Sequence, residues 1–193
     1  NGDTLSGFER MLVTTGSGND LIDNSYAGND TNDYIDTGAG NDTISGGAGA
    51  DTLQGGAGND AISLLVDVGT SDRVSGGTGT DTLKADLGAF NHFGYGQIWW
   101  EGTDTSGAAV AGAAWNSTYE TIATYVNTAT TNVLQVSGYG NDRVANLTFG
   151  SDIENLSVSA SSDVSQNDLI FARGTGTYDG KGGTDTLYAD LSA

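Results

Sequence analysis

Residues 37–63 read TGAGNDTIS, GGAGADTLQ, GGAGNDAIS, three consecutive copies of one nine-residue unit. The unit is Gly-Gly-x-Gly-x-Asp-x-U-x, with U a large aliphatic residue and Thr37 in the first place of the first copy. Glycines crowded into four positions permit positive φ and a tight turn, and they bare backbone carbonyls. The aspartate in the sixth place adds a charged oxygen. Carbonyl and carboxylate oxygens are the ligands a hard cation such as Ca²⁺ takes. The x-U-x triplet that follows is a short strand whose middle residue alone turns inward, because strand side chains alternate faces. Ile44, Leu53 and Ile62 are thereby predicted to stack as an aliphatic ladder. A unit this small cannot bury its apolar residue alone, so neighbouring coils must stack.

The frame extends in both directions. TGSGNDLID at 15–23 keeps Asp20 and Ile22, and after four extra residues GNDTNDYID at 28–36 keeps Asp33 and Ile35 while losing glycines. Beyond the clean copies, Leu64–Val66 are an insertion. DVGTSDRVS at 67–75 then keeps Asp72 and Val74, and GGTGTDTLK at 76–84 keeps Asp81 and Leu83. Asp20, Asp33, Asp42, Asp51, Asp60, Asp72 and Asp81 are thus spaced by nine, except for steps of 13 and 12 at the two insertions. Ahead of them, NGDTLS at 1–6 reads as the tail of a unit, with Asp3 and Leu5 in the key places. FERMLV at 8–13 reads as a strand with Met11 and Val13 on one face.

This pattern resembles the RTX (repeats-in-toxin) calcium-binding nonapeptide family. The resemblance implies an all-β fold: a parallel β-roll or β-helix solenoid of calcium-binding nonapeptide repeats, here with an irregular β-rich elaboration. In that family two nonapeptides make one coil, and calcium lies between repeats two apart. Carried over, Asp42 would share an ion with Asp60, and Asp51 with Asp72. Asp20 with Asp42, Asp60 with Asp81, and Asp33 with Asp51 are further pairs. Carbonyls of Gly38, Gly40, Gly47, Gly49, Gly56, Gly58, Gly77 and Gly79 would complete them. The implied cofactor is Ca²⁺, roughly four to six ions with six or so oxygen ligands each. Asp185 is a further candidate ligand near the end of the chain, at irregular spacing from Asp168 and Asp179.

Composition agrees. The chain has 193 residues, with 31 glycines and neither proline nor cysteine, which excludes disulfides and thiolate metal sites. Its formal charge is −19, and 21 of its 25 acidic residues are aspartate. Such charge disfavours nucleic acid and anionic membranes as partners. It also makes the compact state self-repelling unless cations neutralise it. No stretch approaches the ~20 apolar residues of a membrane span. NGDTLSGFERM has no basic start and no apolar run, so it is not a signal peptide. The chain is expected to begin and end inside a longer protein.

Four segments follow: a lead-in strand at 1–14, the calcium-binding nonapeptide roll at 15–89, aromatic β-rich wider coils or an insertion at 90–152, and a second, shortened unit at 153–193. In the third, QIWWEGT (97–103), AAWNSTYETIATYV (113–126) and TNVLQVS (131–137) read as strands, although the alanines of 108–126 also suit a short helix. GYGNDRVAN at 138–146 reads as a worn repeat with Asp142 and Val144 in frame. The fourth segment rests on two matches. IENLSV at 153–158 resembles FERMLV, and DTLYADLSA at 185–193 matches DTLKADLGA at 81–89 in seven of nine places.

Catalysis gains little support. His92 is the only histidine, which rules out a two-histidine zinc motif, and no Gly-x-Ser-x-Gly elbow occurs. Nothing in the spacing of Glu101 and Glu120 argues for a glycosidase pair. Trp99, Trp100, Trp115 and Tyr119 are either the core of the elaboration or a platform for surface glycans. The sequence therefore points to a non-enzymatic, calcium-dependent structural module of a secreted bacterial surface protein, such as an adhesin, a surface layer or an extracellular filament. RTX proteins commonly leave the cell unfolded by type I secretion. Open solenoid ends imply flanking repeats or other copies of the chain as partners. The alternatives are a carbohydrate-binding segment, or the non-catalytic RTX part of a secreted hydrolase or toxin.

Overall fold

The computed structural model describes residues 2–25, 31–67, 69–86, 97–103, 109–113, 131–137, 143–150, 152–159, 169–173 and 186–190, several of the later strands by backbone path alone. The chain begins with β1 (Thr4–Ser6), β2 (Leu12–Thr14), β3 (Leu21–Asp23), β4 (Tyr34–Asp36), β5 (Thr43–Ser45), β6 (Thr52–Ala57), β7 (Ala61–Leu65), β8 (Ser71–Thr78) and β9 (Thr82–Asp86). It continues with β10 (Gln97–Thr103), β11 (Ala109–Ala113), β12 (Thr131–Ser137), β13 (Arg143–Gly150), β14 (Asn155–Ser159), β15 (Leu169–Arg173) and β16 (Thr186–Asp190). No helix occurs among the described residues.

Strands β1 to β9 alternate between two sheets, so each coil takes two nonapeptides. β1, β3, β5, β7 and β9 run parallel in one sheet, and β2, β4, β6 and β8 in the other. The register aligns Leu5, Ile22, Ile44, Ile62 and Leu83 in one row, and Val13, Ile35, Leu53 and Val74 in the second. Ile22, Ile35, Ile44, Leu53, Ile62 and Leu83 are fully buried. Each such side chain contributes about 1.5–3 kcal/mol when removed from water. That gain exists only once the next coil is in place. The expected aliphatic ladder is therefore the core, and the parallel β-roll is the fold.

The insertions lengthen turns without disturbing the rows. Asp42 and Asp60 lie 18 residues apart along the chain and face each other in adjacent coils. Asp20 and Asp42 do so at 22, and Asp60 and Asp81 at 21. The second insertion also joins the core. Leu64 and Val66 are buried, and β7 runs on to Leu65, opposite Asp86.

After β9 the chain leaves the roll and returns with β13, parallel to β8, and β14, parallel to β9. Phe149 and Leu156 then extend the two aliphatic rows, opposite Val74 and Leu83. The expected in-frame pair of Asp142 and Val144 is therefore out of step. Leu147, not Asp142, stands opposite Asp72, because Phe149 supplies the core residue of that strand. IENLSV also differs from FERMLV in place: β14 belongs to the first sheet, while β2 belongs to the second. Beyond this coil the next strand on each sheet is antiparallel, although β16 then pairs in parallel with β15. β12 is antiparallel to β13, with β10 and β11 following, and β15 is antiparallel to β14. The C-terminal coil is thus covered on both sheets rather than open. QIWWEGT and TNVLQVS form β10 and β12 as expected. Asp142, Asp168, Asp179, Asp185, His92, Trp115, Tyr119 and Glu120 lie outside the described residues, as do the side chains of Trp99, Trp100 and Glu101.

Candidate metal centre

The turns that join the sheets carry the aspartates, and all seven of the frame are buried. They stand in two columns. In the first, the Asp20 N–H donates to Asp42 Oδ1 (2.7 Å), the Asp42 N–H to Asp60 Oδ1 (2.8 Å) and the Asp60 N–H to Asp81 Oδ1 (2.8 Å). In the second, Met11, Asp33 and Asp51 donate in turn to Asp33, Asp51 and Asp72, each at 2.9 Å. One carboxylate oxygen of each aspartate thus fixes the spacing to the preceding coil. The pairs expected to share ions are the neighbours within these columns.

A reciprocal set of bonds comes from the fifth place of the unit. The Asn41 N–H donates to Asn19 Oδ1 (2.9 Å), Asn59 N–H to Asn41 Oδ1 (2.8 Å) and Thr80 N–H to Asn59 Oδ1 (2.9 Å). Ala50 N–H likewise donates to Asn32 Oδ1 (2.9 Å). Each Asn-Asp dipeptide therefore ties its coil in both directions along the roll. These asparagines were not among the expected site residues. Their signal was the recurrence of Asn-Asp at 19–20, 32–33, 41–42 and 59–60.

The second carboxylate oxygen decides the chemistry. Oδ2 of Asp42, Asp51, Asp60, Asp72 and Asp81 is buried and has no hydrogen-bond partner. A buried ionised oxygen left without a partner is strongly unfavourable. Burial accordingly raises the pKa of Asp51 and Asp72 to about 7, against backbone N–H donors that lower it. Asp60 and Asp81 are raised for the same reason, with repulsion from Asp42 on the former and from Asp60, Glu154 and Asp152 on the latter. The first glycine of the unit keeps the space before Oδ2 clear. A Cβ at Gly46 would lie 2.8 Å from Asp51 Oδ2, and one at Gly55 2.3 Å from Asp60 Oδ2.

All eight glycines expected to supply carbonyls have positive φ. Gly56 shows why: at φ +101° its Cα faces the next turn so closely that a Cβ would fall 1.9 Å from the Gly38 oxygen. That oxygen accepts the Ala57 N–H at 2.8 Å, which leaves its second lone pair for another ligand. Asp20 and Asp33 differ from the rest. Asp33 Oδ2 accepts from Asn24 Nδ2 (2.6 Å), and Asp20 Oδ2 accepts from the Thr15 hydroxyl.

Among the described residues no three carboxylates converge on one point. The donor set is instead one or two aspartate oxygens beside turn carbonyls, with water needed to complete six to eight ligands. Buried oxygens lacking a partner, space held open by glycine and the all-oxygen donor set fit a hard divalent cation. The two-sheet coil and this ladder define a cation-binding parallel β-roll.

The family follows from the repeat itself. Residues 27–62 and 68–89 match the family model of the RTX calcium-binding nonapeptide repeat, in four copies. These segments are RTX calcium-binding repeats, and several calcium ions are their cofactor. No curated protein and no solved structure matches the chain. RTX repeats occur in secreted bacterial proteins. No helix among the described residues is long and apolar enough to cross a membrane.

Proposed function

We propose that this chain is a calcium-dependent structural module of a secreted bacterial surface protein, folding when it meets calcium outside the cell. The observation that carries this reading is the set of five buried Oδ2 atoms without a partner. Without cations those carboxylates oppose the stacking that buries the aliphatic rows. With calcium bound at Asp42, Asp51, Asp60, Asp72 and Asp81, and at turn carbonyls such as Gly38 and Gly56, the same oxygens become cross-links between coils. The ion supplies charge neutralisation and coordination. The chain supplies spacing through Oδ1, and clearance through glycine. Binding and folding are then one event.

The role is architectural and non-catalytic, in an adhesin, a surface layer or a filament exported unfolded. β1 and β2 are edge strands of their sheets among the described residues, which suits flanking repeats or another copy as neighbour. The test is a circular dichroism titration. A β spectrum is expected to appear between about 0.1 and 1 mM Ca²⁺, the range of extracellular modules. Full β structure in excess chelator at neutral pH would sink the reading.

A further inference from the structure

We propose that Asp152, which lies outside the nonapeptide repeats, joins Asp81 of the last repeat in a calcium site that ties together the two ends of the 87–142 excursion. It rests on the calcium reading above and shares Asp81 with it, adding Asp152 as a new ligand. The turn from β13 to β14 reads Gly150-Ser151-Asp152-Ile153-Glu154 and lacks the glycine pattern of the unit. The family match ends at residue 89. This turn nevertheless docks on the last repeat turn as though it were one more copy. Glu154 Oε2 accepts the Asp81 N–H at 2.8 Å, the part played elsewhere by the next aspartate. Glu154 is thereby a positioning residue.

Asp152 reaches further. Its Oδ2 accepts from the Ser75 hydroxyl (2.6 Å) and from the Gly77 N–H (3.0 Å), across more than seventy residues of chain. Its Oδ1 is buried and has no partner. Asp81 has no exposed surface at all, and its Oδ2 also has no partner. Asp81 Oδ2 and the Asp152 carbonyl oxygen lie 2.5 and 2.4 Å from one point, the place a Cβ on Gly76 would take. Asp81 Oδ2 is thus a fully buried orphan oxygen directed at the gap that Asp152 borders. Asp152 Oδ1 lies beside a second glycine, 2.2 Å from the place a Cβ on Gly150 would take. Two partnerless carboxylate oxygens and a carbonyl, each beside a position that only glycine leaves open, are hard oxygen donors, and they select calcium over softer-ligand metals. An ion there would fasten the returning strand to the turn it left.

The test uses the whole chain, with calcium alone as the probe. All three tryptophans, Trp99, Trp100 and Trp115, lie in the excursion, so their fluorescence reports it while far-ultraviolet circular dichroism reports the whole roll. In Asp152→Asn the amide oxygen keeps the bonds to Ser75 and Gly77, and the amide nitrogen turns towards the cation's place. Equilibrium dialysis should find one ion fewer. The dichroism midpoint should move less than about twofold, while the tryptophan transition should need about tenfold more calcium. Ser75→Ala, which removes a hydrogen bond but no proposed ligand, should bind the wild-type number of ions. Equal stoichiometry and coincident transitions in wild type and Asp152→Asn would overturn the site while leaving the repeats as calcium binders. Failure of Asp152→Asn to form the roll, or the same ion loss in Ser75→Ala, would also overturn it by showing a purely structural role. A wild-type chain that binds no calcium would overturn both readings.

Discussion

The coil that carries Asp20 and Asp33 and the coils built on Asp51, Asp60 and Asp81 follow one backbone path, yet they complete their carboxylates differently. In the first coil the chain itself supplies a donor, Thr15 to Asp20 and Asn24 to Asp33. In the later coils the first place of the unit is glycine at Gly46, Gly55 and Gly76, and Oδ2 has no protein donor. Thr15 fills that place before Asp20 and Asn24 serves Asp33 from outside the frame, whereas Thr37, in the same place before Asp42, donates to the Gly55 carbonyl and leaves Asp42 Oδ2 without a donor. The contrast teaches that calcium dependence is set locally, coil by coil. The N-terminal coil is a partly self-satisfied start on which the calcium-requiring coils stack.

The contrast can be broken most severely at the second place of the unit. Gly16 and Gly56 occupy it in the first and third coils. A Cβ at Gly16 meets nothing within 4 Å, whereas one at Gly56 would lie 1.9 Å from the Gly38 oxygen, at φ +101°. Gly56→Ala should therefore cost about 3 kcal/mol or more, and Gly16→Ala under about 0.5 kcal/mol. Chemical denaturation in saturating calcium measures both. Equal effects would mean that the coils are not stacked as described.

Next in size is the charge itself. Asp60→Asn keeps an acceptor for the Asp42 N–H and removes only the negative charge facing Gly55. Its folding midpoint should rise by about tenfold or more in calcium. Asp33→Asn keeps its place in the column and should shift the midpoint by less than about threefold, because its Oδ2 is served by Asn24. A calcium titration followed by circular dichroism compares them directly. A larger shift in Asp33→Asn would reverse the assignment of the coils.

Proton binding probes the same oxygens. Asp51 and Asp72 are raised from 3.8 to about 7 in the calcium-free roll, so between those values the folded chain holds more protons than the unfolded one. Stability of the calcium-free roll is then greatest below about pH 4 and falls as pH rises towards 7. In chelator, more β signal is expected at pH 5 than at pH 8. In calcium the order reverses for affinity, because the ion must displace those protons.

Most of the roll was legible in the sequence because the unit is short and each place has one task. An aliphatic residue in the eighth place and aspartate in the sixth gave both rows and both columns, even across steps of 13 and 12. The return of the chain was not legible. Asp142 and Val144 match the unit in letters, but Phe149 enters the core, and a shortened turn with Asp152 and Glu154 replaces the glycines. Local pattern cannot show this, because the partner strand lies more than seventy residues away. The donors to Asp20 and Asp33 were missed for a related reason. Asn24 sits beside an insertion, where the frame gives no place number, and only the folded turn brings it to Asp33.

The smallest expected effect asks whether the first coil can be converted to the behaviour of the others. Asn24→Ala removes the donor to Asp33 Oδ2 and leaves that buried oxygen in the condition of Asp51. In saturating calcium the cost should be about 1 kcal/mol, the net value of one hydrogen bond. At limiting calcium it should grow to about 1–3 kcal/mol, because the carboxylate is then desolvated with neither donor nor ion. Denaturation at two calcium concentrations reads the difference. A cost independent of calcium would show that Asn24 serves the fold alone, and that Asp33 does not join the cation ladder even when its own donor is gone.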